Sequence, residues 1–127
     1  MANAATTFTR TKIPGTTMEI ITITWLCDDA NGNPLDGVVP DVNGWIERVV
    51  ILPGAGITFD NGTADFTIWD NDLVSLEGVS LDNLANTAPI GWIPDLPIFV
   101  GGKMTVRVSA NAYANSATYK MKLYVSK

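Results

Sequence analysis

Apolar and polar residues alternate along several short segments of the chain, and this period of two is typical of half-buried β-strands. The alternation is clearest in KMTVRVSA (103–110) and ATYKMKLYV (117–125). Because only a short connection separates these two segments, we predict a hairpin with one side on a core and the other in water. The cations on the predicted solvent side of this hairpin are Arg107, Lys120 and Lys122.

Three further segments have the composition of strands. MEIITITWLC (18–27) carries β-branched or aromatic residues on both faces, which predicts a central strand. ITFDNGTADFTIWD (57–70) predicts a strand, a turn at Asn61-Gly62 and a second strand. The alternation in WIERVVIL (45–52) predicts one face with Ile46, Val50 and Leu52 and another with Glu47, Val49 and Ile51.

Clusters of Gly, Pro, Asn and Asp separate the predicted strands. Many short strands with such connections indicate an all-β fold, an antiparallel β-sandwich of the jelly-roll kind. One short helical turn is predicted over residues 72–78, with Asn71 or Asp72 as its N-cap. Residues 79–97 are predicted to form a long loop, because their prolines exclude a central strand.

The chain divides into a short N-terminal arm and one domain. Residues 1–17 are rich in Thr and Ala and show no sustained period, so we predict an extended arm there and a single β-sandwich over 18–127. The arm is either a disordered end or a strap that orders against a neighbouring subunit. The length of 127 residues and the 46% hydrophobic content fit one domain with its own core. The N-terminus lacks the pattern of a secretory signal, and no apolar run is long enough for a membrane helix, so we expect cytoplasmic synthesis.

The charge is distributed unevenly along the chain. The net charge of −5 combines +1 over residues 1–27, −11 over 28–95 and +5 over 96–127. Either the acids occupy turns while lysines decorate strands, or the domain has one acidic and one basic surface. The second interpretation would suit subunits that meet through unlike patches. Duplex nucleic acid is not an expected partner, because few dispersed cations neutralise few phosphates.

The residues that usually carry catalysis are scarce. The chain has no histidine, which removes the usual general base and the commonest metal ligand, and Cys27 is the only cysteine. Asp28, Asp29, Asn31 and Asn33 lack the glycine position of a calcium loop and are interpreted as a turn. Asp70 and Asp72 could act as a glycosidase pair, but adjacent acids at a strand end more often cap a turn. We therefore predict no enzyme, no cofactor and no metal.

Four tryptophans in so small a domain offer either a sugar-stacking platform or an anchor for a protein interface. Trp25 and Trp45 lie in predicted strands and are expected to belong mostly to the core. Trp92, in the proline-bounded segment PIGWIPDLP, is the best candidate for an exposed contact residue.

Four segments in this order resemble the small virion proteins of tailed bacteriophages. They are ERVVILPG (47–54), TADFTIWDND (63–72), SLDNLANTAPI (80–90) and PIFVGGKMTVRVSANAYANSATYKMKLYV (97–125). The resemblance covers roughly residues 18–125. Among such proteins, the capsid decoration or cement proteins are similar in size and in their β-sandwich character.

The resemblance implies adhesion rather than chemistry. A decoration protein of this kind would bind the major capsid protein on the head surface, and would associate with itself as a dimer or trimer. The alternative is a phage tail or fibre module that binds host carbohydrate. The contact residues that we expect under this resemblance are Phe8, Arg10, Lys12 and Ile13 in the arm, Trp92 in the long loop, and Arg107, Lys120 and Lys122 on the basic strands.

Overall fold

A computed structural model of the chain describes residues 5–26, 37–53, 63–70, 72, 75–76, 84–85, 90–110 and 118–127. Cys27, the acidic turn at 28–33, the predicted strand at 57–60 and the connection at 111–116 lie outside the described residues. The described part of the chain contains no helix. Its strands are β1 (Ala5–Lys12), β2 (Met18–Leu26), β3 (Gly37–Val39), β4 (Gly44–Pro53), β5 (Thr63–Trp69), β6 (Leu84–Ala85), β7 (Ile90–Trp92), β8 (Ile98–Val100), β9 (Met104–Ala110) and β10 (Thr118–Ser126).

These strands form two antiparallel sheets around one core. The larger sheet has the order β1-β2-β10-β4-β7, with β8 also paired to β4, and the smaller sheet has the order β3-β9-β5-β6. Buried side chains from both sheets belong to one hydrophobic cluster. The rings of Trp25 in β2 and Phe66 in β5 lie 6.0 Å apart across the core. The predicted all-β antiparallel class is therefore confirmed, and the two sheets are arranged as a β-sandwich.

The alternation read from the sequence correctly gives the core faces of β2 and β10. Ile21, Ile23 and Trp25 are fully buried, and so are Met121, Leu123 and Val125. Complete burial of each such side chain contributes about 1.5–3 kcal/mol of transfer free energy. As predicted, β2 is a central strand, because β1 pairs with one of its edges and β10 with the other.

A β-bulge in β4 overturns the predicted faces of that strand. Arg48 pairs with Tyr124 of β10, whereas Val125 pairs with Ile46, so Glu47 is an extra residue between two rungs. The extra residue puts Ile46 on the same inward face as Val49 and Ile51. The sequence had grouped Ile46 with Val50 and Leu52, which are only half-buried. A strict period of two fails here because the bulge shifts the alternation by one position.

The predicted hairpin between the last two strands is wrong. β9 lies in the smaller sheet between β3 and β5, whereas β10 lies in the larger sheet between β2 and β4. Within each strand the inward positions are correct, since Met104 and Val106 in β9 are fully buried. Alternation identifies a strand's faces but not its partners, and here the chain passes from one sheet to the other.

The N-terminal segment also differs from the expectation of a separate arm. β1 pairs with β2 in a continuous register from Ala5 to Lys12. A tight turn joins the two strands, in which the Ile13 amide donates to the Met18 carbonyl over 2.9 Å and Gly15 takes a φ of 78°. Residues 5–12 are therefore extended, but they form an edge strand of the domain's own sheet.

The predicted helical turn at 72–78 is not formed in the described residues of that segment. Ser75 makes an antiparallel bridge to Trp69, and the Leu76 amide donates to the Ile68 carbonyl over 2.9 Å. The segment therefore folds back along β5. The predicted long loop at 79–97 likewise contains two short strands, β6 and β7, which pair at the margins of the two sheets.

Candidate interaction surface

The solvent-facing side of the larger sheet, which we call the outer face, is a regular array of side chains. Directly opposed residues in antiparallel strands point to the same side of a sheet. The register therefore arranges the outward residues of the neighbouring strands in rungs that cross the sheet. The four rungs are Thr7–Thr24–Lys120–Leu52, Thr9–Thr22–Lys122–Val50, Thr11–Ile20–Tyr124–Arg48 and Met18–Ser126–Trp45–Phe99.

One end of the outer face is aromatic and exposed. Trp45 is 47% exposed and Phe99 is 51% exposed, and their ring centroids lie 5.1 Å apart with a tilt of 58°. Ile93 and Leu96, in the segment that joins β7 to β8, are exposed to 70% and 77%. The solvent side of an antiparallel sheet is ordinarily polar, and grouped exposed apolar side chains mark interaction sites. This end of the outer face is therefore suited to bind an apolar partner surface.

The rest of the outer face is basic and rich in hydroxyl groups. Its cations are Arg48, Lys120 and Lys122, and the four rungs contain no acidic residue. The Arg48 guanidinium lies 5.6 Å from the centroid of the Tyr124 ring, a cation–π distance that holds it along the sheet. The bulge residue Glu47 lies beside these rungs and is half-buried. The chain as a whole is acidic, so the positive charge on this face is a local feature.

Of the three basic strand residues expected to share a face, the structure brings only two together. Lys120 and Lys122 lie on the outer face of the larger sheet, whereas Arg107 projects from β9 in the smaller sheet. There the Arg107 guanidinium lies 4.8 Å from the Trp69 ring centroid. The expectation of one basic face was wrong because it depended on the hairpin that does not form.

The structure reverses the roles that were expected for Trp92 and Trp45. Trp92 faces Val49 in the pairing of β7 with β4, which turns it inward, and it is half-buried against the core. Trp45 was expected in the core but lies on the outer face, because Gly44 and Ile46 on either side of it point inward. Sequence reasoning therefore missed Trp45 and Phe99. An unbroken alternation groups Trp45 with Val49 and Ile51 on the inward face, and only the bulge at Glu47 puts Trp45 on the outer face.

Arg10, one of the expected contact residues, is engaged within the chain. Its guanidinium donates two hydrogen bonds to the Glu19 carboxylate, from Nε over 3.2 Å and from Nη2. The same group donates to the carbonyls of Pro40 over 2.7 Å and Asp41 over 3.1 Å. Arg10 thus ties β1 to β2 and to the segment before β4, which indicates a structural role.

Lys127 completes this ionic cluster from the C-terminus. Its Nζ lies 3.0 Å from Oε1 of Glu19 and also donates to the Val42 carbonyl. Burial by itself raises the pKa of Glu19, but hydrogen bonds and charge from Arg10 and Lys127 outweigh it and hold that pKa below its usual value. Glu19 is therefore a carboxylate at neutral pH, enclosed by two cations at the end of the core.

The other expected contact residues of the N-terminal segment lie around this cluster. Phe8 is 40% exposed, Lys12 is exposed and Ile13 is half-buried. An open cavity of about 210 Å³ lies beside the cluster, lined by Lys12, Thr16, Thr17, Met18, Glu19 and Lys127.

The pair of acids considered for hydrolysis forms a turn. Oδ1 of Asp70 accepts a hydrogen bond from the Asp72 amide over 2.8 Å. Among the described residues, no three His, Cys, Asp or Glu side chains are grouped closely enough to hold a metal ion. In the same part of the chain, no helix has the length and apolarity needed to cross a membrane.

No protein-family model matches the chain, and no curated protein is significantly similar to it.

Proposed function

We propose that this chain is a structural protein of a tailed-bacteriophage virion, a decoration protein that binds the assembled head. It would be made in the host cytoplasm and would join the shell by adhesion, with no reaction catalysed. The observation that carries this proposal is the outer face of the larger sheet, where exposed aromatic side chains adjoin Arg48, Lys120 and Lys122. The resemblance of four segments to small virion proteins supplies the context.

The dimensions of the outer face favour binding in many copies. Strands about 4.8 Å apart and rungs about 6.7 Å apart give four strands by four rungs a backbone area of roughly 14 by 20 Å. This is about 280 Å², and although side chains at the margins enlarge it, one outer face is smaller than the roughly 800 Å² per partner that stable interfaces bury. A shell offers many identical sites close together, so modest single-site affinity is sufficient when neighbouring copies reinforce one another.

The charge of the outer face defines the complementary surface. Three cations without an acid among the rungs fit a shell surface with exposed carboxylates beside an apolar contact for Trp45 and Phe99. Because such exposed charges are screened by salt, binding should weaken as ionic strength rises, and the apolar contact should remain. The proposed partner is thus the major capsid protein, bound from outside.

The test is co-sedimentation with undecorated heads of the phage that encodes the chain. The wild-type protein should pellet with the heads, and Lys120→Glu/Lys122→Glu should pellet at least tenfold less at low salt. Arg107→Glu is the matched control, since it reverses an exposed cation on the opposite sheet and should bind like the wild type. Failure of the wild-type protein to pellet at both low and moderate salt would overturn the proposal.

A tail or fibre module that binds host carbohydrate is the second candidate. The exposed rings of Trp45 and Phe99 favour it, because aromatic faces stack on sugar rings. This function predicts a change in tryptophan fluorescence on addition of a host-surface glycan, abolished by Trp45→Ala, and no binding to heads. Pelleting with heads and no response to glycans would exclude it.

A further inference from the structure

Three of the four sheet edges in the described part of the chain are formed by very short strands. Beyond β4, the larger sheet ends in β7 and β8, of three residues each, with Pro94 and Pro97 between them. The smaller sheet ends in β3, of three residues followed by Pro40, and in β6, of two residues. Short strands and prolines are the usual means by which proteins prevent pairing at sheet edges.

The fourth edge, β1, is neither short nor interrupted by proline; its charged residues are Arg10, whose guanidinium is held by Glu19, and Lys12. It is eight residues long, contains no proline and pairs with β2 without a bulge. No strand in the described part of the chain pairs with its other side. In an antiparallel sheet, every second residue of an edge strand directs its amide and carbonyl outward, so β1 presents a regular template for another strand.

We propose that this template is filled by a second copy of the chain, with the two β1 strands antiparallel about a twofold axis at Thr9. In such a pair of strands, each residue whose amide and carbonyl point away from β2 must oppose a residue of the same kind in the partner subunit. A twofold axis perpendicular to the sheet at Thr9 meets this requirement. In this register residues 6–12 of each copy pair. Thr9 opposes Thr9 of the partner subunit, and Thr7 opposes Thr11 of the partner subunit.

In this register the side chains of the two β1 strands are complementary to each other. All three opposed pairs on the outer face are threonine with threonine, a favourable cross-strand combination. On the inner side, Arg10 opposes Phe8 of the partner subunit, which would cover a ring that is 40% exposed in the single chain. Lys12 opposes Thr6 of the partner subunit, so no two cations are directly opposed.

The inference extends beyond the proposed function and does not depend on it. Dimerisation of this kind would join the two larger sheets into one continuous sheet. It would place two outer faces side by side with the same orientation, because the axis is perpendicular to the sheet. A dimer of this geometry would double the basic and aromatic surface that is available to any partner.

A charge-swap experiment tests both the dimer and its register. The wild-type chain should sediment as a dimer. Thr9→Lys and Thr9→Glu should each dimerise about tenfold more weakly, because like charges would meet at the axis about 5 Å apart. An equimolar mixture of the two variants should form a heterodimer at least as tight as the wild type, and this recovery also shows that both variants fold.

Leu96→Lys and Leu96→Glu are the matched controls, because each adds one charge at an exposed position next to the opposite edge of the sheet. Both should remain dimeric. The proposal is overturned if the wild-type chain is a monomer or a trimer at its highest soluble concentration. It is also overturned if the single Thr9 variants keep full dimer affinity, or if their mixture does not regain it.

Discussion

Replacing Glu19 with glutamine tests the ionic cluster that ties both ends of the chain to the core. The substitution removes the negative charge and keeps the size of the side chain. The Glu19 side chain is only 5% exposed and receives hydrogen bonds from Arg10, while Lys127 lies 3.0 Å away. Hydrogen bonds to charged groups contribute about 1.5–3 kcal/mol each, and breaking a buried ion pair costs about 3–5 kcal/mol.

The expected loss is smaller than that upper range because the two cations are not deeply buried. The side chains of Arg10 and Lys127 are 25% and 36% exposed, and Arg10 keeps its carbonyl acceptors at Pro40 and Asp41. We therefore expect Glu19→Gln to lower the free energy of unfolding by about 2–3 kcal/mol at pH 7. For a domain of this size, such a loss lowers Tm by about 7–11 °C.

The pH dependence supplies an independent check on the same residue. The pKa of Glu19 in the folded chain lies below its ordinary value of 4.5. Its contribution to stability is therefore complete above about pH 5 and is lost as the pH falls through the lowered folded-state pKa. The stability difference between the wild type and Glu19→Gln should accordingly shrink between pH 5 and pH 2.

Urea denaturation followed by tryptophan fluorescence, at pH 7 and at pH 3, measures both effects. Asp95→Asn, at an exposed position, is the control and should change the free energy of unfolding by less than about 0.5 kcal/mol. Equal stability of Glu19→Gln and the wild type at pH 7 would show that the ionic cluster does not stabilise the fold. A difference of the same size at both pH values would show that the loss comes from packing and not from charge.

Three further predictions concern the side-chain packing and the backbone of the sandwich. Gly44→Ala should lower the free energy of unfolding by about 1–3 kcal/mol, because the new Cβ would lie 2.6 Å from Cγ1 of Val125. Gly91→Ala is the control, because its new Cβ would lie 3.8 Å from the nearest side-chain atom, and in calorimetry it should melt close to the wild type. Phe66→Ala should lower the free energy of unfolding by about 3–5 kcal/mol in urea titrations, since the ring is 98% buried in the core, and an unchanged midpoint would contradict the sandwich. Asn43→Ala should lower the free energy of unfolding, measured by thermal melting, by about 1–2 kcal/mol. The reasons are that Asn43 has a φ of 44° and that its Oδ1 accepts a hydrogen bond from the Gly102 amide. Asn43→Gly should recover part of that loss, because glycine adopts a positive φ without strain.

The faces of individual strands could be read from the sequence wherever the strand is regular. The alternation in β10 alone identifies Met121, Leu123 and Val125 as core residues, because side-chain direction has a strict period of two. The faces of β4 could not be read in the same way. The bulge at Glu47 depends on how β4 pairs with a strand more than seventy residues later, and no local pattern records that pairing.

Strand partners were the least predictable part of the fold. β9 and β10 both alternate cleanly and adjoin in the chain, yet they belong to different sheets. Nearness in sequence favoured a hairpin. Which strands pair, however, depends on the arrangement that buries the apolar faces of both sheets against each other. The wrong hairpin also led to the wrong prediction that Arg107 shares a face with Lys120 and Lys122.

Only part of the candidate surface could be predicted from the sequence. Lys120 and Lys122 could be placed on a solvent face from their own strand. Their neighbours on that face, Trp45 and Phe99, come from two other strands and become visible only with the register. Glu19 carried a signal that could have been used, because a charged residue in the same alternation as Ile21 requires cationic partners.

The proposed adhesion to a phage head can be decided by counting the copies of this chain in purified virions. Quantitative mass spectrometry of separated heads and tails gives the ratio of this chain to the major capsid protein. For a decoration protein we expect many copies, in a fixed small-integer ratio to the capsid protein and confined to the head fraction. A handful of copies found only with tails, or none in the virion, would contradict it.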